Sequence, residues 1–121
     1  MIIVSINKPG QLLYVCFIGH VKAEQVAHAS QTLPALLSDL APGFRMLADL
    51  GRLDSMDIDC ASEIGKVMDL CDQKGIAQVI RVIPDSRKDI GLSIISRFHY
   101  KKHPKVIVCE TILEAERLLA H

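Results

Sequence analysis

Four aspartates fall within eleven residues, Asp49-Leu-Gly-Arg-Leu-Asp54-Ser-Met-Asp57-Ile-Asp59. Carboxylates this dense suit three tasks: holding a hard cation, capping a helix, or presenting a negative surface to a partner. Mg²⁺ and Ca²⁺ take oxygen ligands, so Asp54, Asp57 and Asp59 are the candidate cation set. Their spacing matches neither an EF-hand loop nor a D-x-D-x-T phosphohydrolase signature, which favours solvated and capping carboxylates and no metal. Asp59 stands just before a helical stretch, where its oxygen can accept free N–H groups and its charge meets the positive end of the helix dipole. Cys60 could become a thiolate through the same dipole. Nearby carboxylates oppose that, and Cys60 opens an apolar stripe, so it reads as a core cysteine.

Other chemistry lacks its residues. Ser55 and Ser62 are the hydroxyls near the aspartates, but no histidine is close in sequence and no G-x-S-x-G elbow occurs. Neither G-x-x-x-x-G-K-[ST] nor G-x-G-x-x-G is present, so no phosphate cradle is expected. The reading is therefore no catalytic residue, no cofactor and no metal.

A second local feature is basic. Residues 81–105 carry seven Lys or Arg against Asp85 and Asp89. Within them Arg97-Phe-His99-Tyr100-Lys101-Lys102-His103 interleaves cations with aromatic rings, which could seat a phosphate or an acidic partner. Arg97, Lys101 and Lys102 are the candidate anion-binding residues. The bland alternative is a solvated helix C-terminus, where the dipole favours cations anyway.

The elements that must position these groups follow from hydrophobic period. Residues 2–6 and 12–18 read as strands around the turn Asn7-Lys8-Pro9-Gly10, hence a hairpin. Residues 23–40 carry Val26, Ala29, Leu33, Leu37 and Leu40 on one helical stripe, with Pro34 marking a kink or a restart. Residues 44–48 form a strand. Residues 60–74 form a helix with Cys60, Ile64, Val67, Met68 and Cys71 inward, and with Ser62, Glu63, Lys66, Asp69 and Asp72 in water. Gly75 is its stop.

A buried strand over 76–83 ends at Pro84, and a helix over 87–100 carries Ile90, Ile94, Ile95 and Phe98 as its inner stripe. Residues 106–109 form a last strand. Thr111 and Glu114 make a capping box for a helix over 112–120. The order ββαβαβαβα predicts an α/β fold: one mostly parallel sheet of about five strands with an antiparallel hairpin edge. The runs 44–48, 76–83 and 106–109 suit interior strands. In such sheets the functional crevice lies beyond the carboxyl ends of the strands, here the loops 49–59, 84–87 and 109–111.

Composition narrows the class further. The 121 residues are 50% hydrophobic and balance 14 Lys+Arg against 14 Asp+Glu. That length makes one domain, residues 1–121, with enough core to need no disulfides. Net neutrality argues against a general nucleic-acid or membrane-surface binder. No apolar run approaches the roughly 18 residues of a membrane span, and the start lacks a signal-peptide pattern. Cys16, Cys60, Cys71 and Cys109 are scattered in apolar stretches without metal-site spacing, as expected of reduced small hydrophobes in a cytoplasmic protein. Neutrality also conceals structure: residues 1–80 hold six bases and nine acids, residues 81–105 seven and two, and residues 106–121 one and three.

The stretch Phe44-Arg-Met-Leu-Ala-Asp49-Leu-Gly-Arg-Leu-Asp54-Ser-Met-Asp57 before a helix resembles the hallmark of STAS domains, the anti-sigma-factor-antagonist fold. Asp49, Leu50, Leu53, Met56 and Asp57 occupy the places of that pattern, and the expected element order is also the STAS order. Gly19-His-Val-Lys-Ala-Glu24, Pro34 among its leucines, and Glu114-Ala115 are similar to a divergent branch grouped with lipid-binding Sec14-like domains. The resemblance implies a non-enzymatic regulatory module whose partner is an anti-sigma factor or a sensor-type ATPase, with a homodimer also open. It puts a phosphorylatable Ser or Thr two positions after Asp57 and then a glycine. Asp59 and Cys60 stand there instead.

Two functions remain open on this reading. A basic or helix-presenting partner would dock on Asp54, Asp57, Ile58, Asp59 and Glu63. Alternatively, a small anionic ligand or lipid would enter an apolar cleft near the third helix, its head group on Arg97, Lys101 or Lys102. An enzyme built on the aspartates and a metal is the third and least supported.

Overall fold

Asn7 makes the first chain reversal: its Oδ1 accepts the Gly10 N–H at 3.1 Å, and the Gln11 N–H donates to the Lys8 carbonyl at 3.1 Å. In the computed structural model, which describes residues 1–85 and 89–120, this turn joins β1 (Ile2–Asn7) to β2 (Leu12–Val21). The two strands are antiparallel, with Ile2 opposite Phe17 and Asn7 opposite Leu12. Then follow α1 (Ala23–Leu37), β3 (Arg45–Met56), α2 (Cys60–Lys74), β4 (Gln78–Val82), α3 (Asp89–His99), β5 (Lys105–Cys109) and α4 (Ile112–Leu119). The element order is the expected one.

The strands form one sheet in the order β1-β2-β3-β4-β5, with β2 to β5 parallel. Each crossover moves one place in the same direction, so right-handed connections stack α1, α2 and α3 on a single face. The larger core lies there, where Val15, Phe17 and Phe44 from the sheet side meet Val26, Leu33, Ile64 and Met68 from the helices. Helix α4 covers the opposite face, where Ala115 closes on Leu47, Ile80 and Val82. The Thr111 hydroxyl accepts the Glu114 N–H at 3.1 Å and starts that helix. Gly75 ends α2 in the left-handed region (φ 97°), and the Ile76 N–H returns to the Cys71 carbonyl at 3.1 Å.

Five expectations need correction. Strand β3 does not stop at residue 48: it runs to Met56, so most of the aspartate-rich segment is strand and not loop. Strand β5 is an edge and not an interior strand, because its apolar run pairs with β4 alone. Helix α1 does not restart at Pro34, whose ring takes the solvent side of a continuous helix. Helix α3 turns a different face inward. Ile95 of the expected stripe does pack against the core, but Ile94 and Phe98 are exposed while Leu92 and Ser96 are buried, Ser96 serving as a polar partner of the buried Arg81. Asp72 is likewise buried, its carboxylate accepting the Lys102 N–H at 3.1 Å. Residues 86–88 and 121 lie outside the described residues. They include Arg87 and Lys88, where the third helix was expected to begin, part of the loop 84–87, and His121. The side chain of Ile90 lies outside them too.

All four cysteines are free and buried. Burial alone pushes the Cys71 thiol from 9.0 up to about 12, since the protein interior disfavours the thiolate. The folded state therefore holds this proton more tightly than the unfolded chain. Its contribution to stability is complete below about pH 9 and is lost as pH rises from there through about 12. Two results are expected: no native thiol reacts with Ellman's reagent at pH 8, and urea midpoints fall above pH 9, less steeply in Cys71→Ala. Full reaction of any cysteine before unfolding would contradict this burial.

Candidate functional site

The site sits at the carboxyl end of the sheet, and two irregularities in β3 build it. The β2–β3 register slips between Cys16 and Ile18 and again between Gly19 and His20. At the second slip Gly19 faces Leu53 and His20 faces Ser55, leaving Asp54 as the extra residue of a bulge. Gly19 takes a left-handed backbone (φ 69°) that a side chain there would strain.

This register makes a hydrogen-bonded chain of three side chains. His20 Nε2 lies 2.8 Å from Asp57 Oδ1, and its Nδ1 lies 2.6 Å from Ser55 Oγ. With a carboxylate as acceptor, Nε2 carries the hydrogen, so in the neutral ring Nδ1 accepts from the Ser55 hydroxyl. The Asp57 N–H donates to the Val21 carbonyl at 3.0 Å, extending the β2–β3 ladder by one bond. Asp57 is thus fixed at backbone and side chain. Sequence reasoning missed His20 because 35 residues separate it from Ser55, and only the parallel pairing brings them together.

A serine, a histidine and an aspartate in series invite comparison with a nucleophile and its base. Here the imidazole and Asp57 are both about half exposed. The neighbouring groove includes Asp57 in its lining but neither Ser55 nor His20. The three side chains thus orient a carboxylate that stands at the protein surface.

The turn into α2 differs from expectation. Asp59 is not a side-chain cap: its backbone is already helical (φ −66°, ψ −14°) and its carboxylate accepts no backbone N–H. A tight backbone turn starts the helix instead, with the Cys60 N–H on the Asp57 carbonyl at 3.0 Å and the Ala61 N–H on the Ile58 carbonyl at 3.3 Å. The Asp59 side chain is left in solvent, still close to the positive end of α2. Cys60 Sγ packs against the Val21 carbonyl at 3.5 Å, and burial, helped by the Asp57 charge, pushes its thiol up. It is a core cysteine and not a dipole-activated nucleophile.

Between these groups stands Ile58, 91% exposed. A lone exposed isoleucine needs no explanation. Ile58, however, forms part of a groove of about 140 Å³ between α2 and α3, floored by Met56, Ile64, Leu92 and Ile95. Of the residues singled out from sequence, Asp57, Ile58 and Asp59 share this turn, and Asp57 and Ile58 line the groove. Asp54 lies exposed on the β3 bulge. Glu63, in the first turn of α2, is paired with Lys66 at 3.1 Å.

Asp49, the first aspartate of the segment, is buried and structural. Its carboxylate accepts the Gly51 N–H at 2.9 Å and faces the Tyr14 hydroxyl at 3.4 Å. The Tyr14 phenol is pushed up to about 12 by its hydrogen bond to Cys16, by burial and by the Asp49 charge. Among the described residues no three His, Cys, Asp or Glu side chains are placed to hold a metal ion. The basic residues divide: Arg97 lines a separate cavity against β5, whereas Lys101 and Lys102 fall in the turn after α3, outside that lining. Because crossover helices run antiparallel to the strands, this basic end of α3 and the acidic turn occupy opposite ends of the sheet.

Solved structures share this arrangement over nearly the whole chain. A protein of the DUF3478 family from Shewanella loihica, described as having a SpoIIAA-like fold, matches with a TM-score of 0.67 at 18% identity, over 98% of this chain and 92% of that one. An anti-sigma factor antagonist from Mycobacterium paratuberculosis matches with a TM-score of 0.59 at 15% identity, over 100% and 94%. The anti-sigma factor antagonist SpoIIAA in its unphosphorylated form gives 0.58 at 14% identity, over 99% and 98%. No family model matches the sequence, and no curated protein does. The chain has the STAS-like, SpoIIAA-like fold that the aspartate motif and element order implied. At these identities the likeness establishes fold alone. No helix among the described residues is long and apolar enough to cross a membrane.

Proposed function

We propose that this chain is a non-enzymatic regulatory module that docks a basic or helix-presenting protein on the β3–α2 turn. The observation that carries the reading is Ile58: 91% exposed, flanked by Asp57 and Asp59, and continuous with an apolar groove. An apolar anchor ringed by carboxylates suits a partner offering an aliphatic pocket or ridge with Lys or Arg around it. The fold supports such a role, since solved proteins sharing it are described as anti-sigma factor antagonists. An anti-sigma factor or a sensor-type ATPase is the partner class that follows.

Asp59 replaces the phosphoacceptor that the resemblance puts at this position. A carboxylate carries one charge and two acceptor oxygens, whereas a phosphoserine carries nearly two charges and three oxygens. The surface is on this reading permanently acidic and takes no kinase input at residue 59. Affinity capture from the source cells, with wild type beside Asp57→Lys/Asp59→Lys, tests the proposal. A protein held by wild type and lost by the double variant is expected. Retention of every wild-type partner would contradict it.

A further inference from the structure

Strand β5 is the outer strand of the sheet, and among the described residues it pairs with β4 alone. The Lys105 N–H donates to the Ala77 carbonyl at 3.1 Å, and the Cys109 carbonyl accepts the Ile83 N–H at 2.8 Å. Backbone groups alternate sides along a strand, so residues 105, 107 and 109 turn theirs to β4, and Val106 and Val108 turn theirs to the open edge. Such a row of N–H and C=O groups is a template for pairing with another chain. The Val106 and Val108 side chains are 39% and 41% exposed, on the face where a gap separates β5 from α3.

Charge decides which chain fits this edge. Arg97, Lys101, Lys102, His103 and Lys105 stand at the entry of β5, whereas Glu110, Glu114 and Glu116 follow its exit. Two copies laid antiparallel bring the entry of each against the exit of the other, so opposite charges meet. A parallel arrangement would set the lysines of the two copies against one another. The other edge, β1, is followed by Lys8 and carries no acid, so it lacks this self-complementarity.

We propose that the chain forms a two-fold dimer by antiparallel pairing of β5 with β5 of a second copy, joining two five-stranded sheets into one. A two-fold axis perpendicular to the sheet at Ile107 sets Val106 of each copy opposite Val108 of the other. Each of these pairs exchanges both backbone hydrogen bonds, and the valines make cross-strand apolar contacts. In this register Lys105 falls opposite Cys109 and Pro104 opposite Glu110, so no like charges are opposed. Glu110 comes beside the Arg97 and His103 that line the gap with Pro104. Pro104, which has no N–H, and the charged Lys105 blunt the edge and confine pairing to this short stretch, which makes the dimer small and reversible. The Ile58 groove shares no lining residue with this gap, and the dimer does not depend on the docking role.

Sedimentation equilibrium of the full chain is the test. The mean mass is expected to rise reversibly from 13.4 kDa at about 1 µM toward twice that by about 500 µM, and no further. Val106→Pro removes an outward N–H and leaves the ladder to β4 intact, as edge strands tolerate. The two-fold loses that hydrogen bond twice, so the dimer should weaken by about tenfold or more. Val108→Lys, at an exposed position, should do the same, and it keeps the test open if the proline variant fails to fold. Raising NaCl from about 20 mM to about 500 mM should weaken the dimer by screening the charges at the strand ends. A monomer at every concentration would overturn the proposal, and so would growth beyond the dimer, which marks β5 on β1 in an open array. A dimer held equally by wild type and Val108→Lys, or one that salt fails to weaken, would overturn it too.

Discussion

Replacing Phe44 with alanine is expected to cost about 3–5 kcal/mol, the range for deleting a fully buried aromatic ring. Phe44 is 1% exposed and sits where the chain enters β3. Its N–H donates to the Ala41 carbonyl at 3.2 Å, and its carbonyl accepts the Ala77 N–H at 2.8 Å. That second bond ties the entry of β3 to the segment leading into β4. The backbone on either side is therefore held, and little collapse into the vacated volume is available. Against a total stability of about 5–15 kcal/mol the loss is a large fraction. Urea unfolding measures it: the midpoint should fall sharply with an unchanged slope. A loss below about 1 kcal/mol would mean that the larger core does not close on Phe44.

The second large effect concerns the docking surface. Ile58→Asp is expected to weaken binding of the captured partner by about 2 kcal/mol or more, roughly thirtyfold in Kd, the scale of an interface anchor. Its own stability should change by no more than about 0.5 kcal/mol, because a side chain 91% exposed supports nothing in the free protein. The combination separates an anchor from a structural residue. Ile64→Ala, in the groove floor and 6% exposed, should lower both binding and stability. Equal binding by wild type and Ile58→Asp, with both folded, would remove Ile58 from the interface.

The order of elements was legible in the sequence because period reports on local chain geometry. Alternation and the β-branched run mark β1; the i, i+3, i+4 spacing marks α1 and α2; Thr111 with Glu114 marks the start of α4. What escaped was set by partners distant in sequence. The 106–109 run is as apolar as an interior strand, and only the sheet order makes β5 an edge with one face unclothed. The α3 stripe misled for a related reason. Arg81 lies inside an apolar strand, and with it buried Ser96 faces inward as its polar partner while Ile94 and Phe98 face out.

The candidate site was legible in the same uneven way. The density of aspartates drew attention to the β3–α2 turn, and Asp57, Ile58 and Asp59 do stand together there. Their individual roles were not readable. Asp49 is consumed by the Gly51 N–H and Tyr14, Glu63 by Lys66, and Asp59 is displaced from capping by a backbone turn. His20 became visible only through the β2–β3 register, because a histidine distant in sequence gives no local sign that it will clasp Asp57.

The most direct test of docking at this turn is amide hydrogen exchange on the chain alone and bound to the protein that its wild-type form captures. The docking account predicts slowed exchange across residues 56–64 and 91–95, the turn and both walls of the groove, with β1 and β5 unchanged. Protection confined to β5 and the second half of α3, with residues 56–64 exchanging as in the free chain, would contradict it.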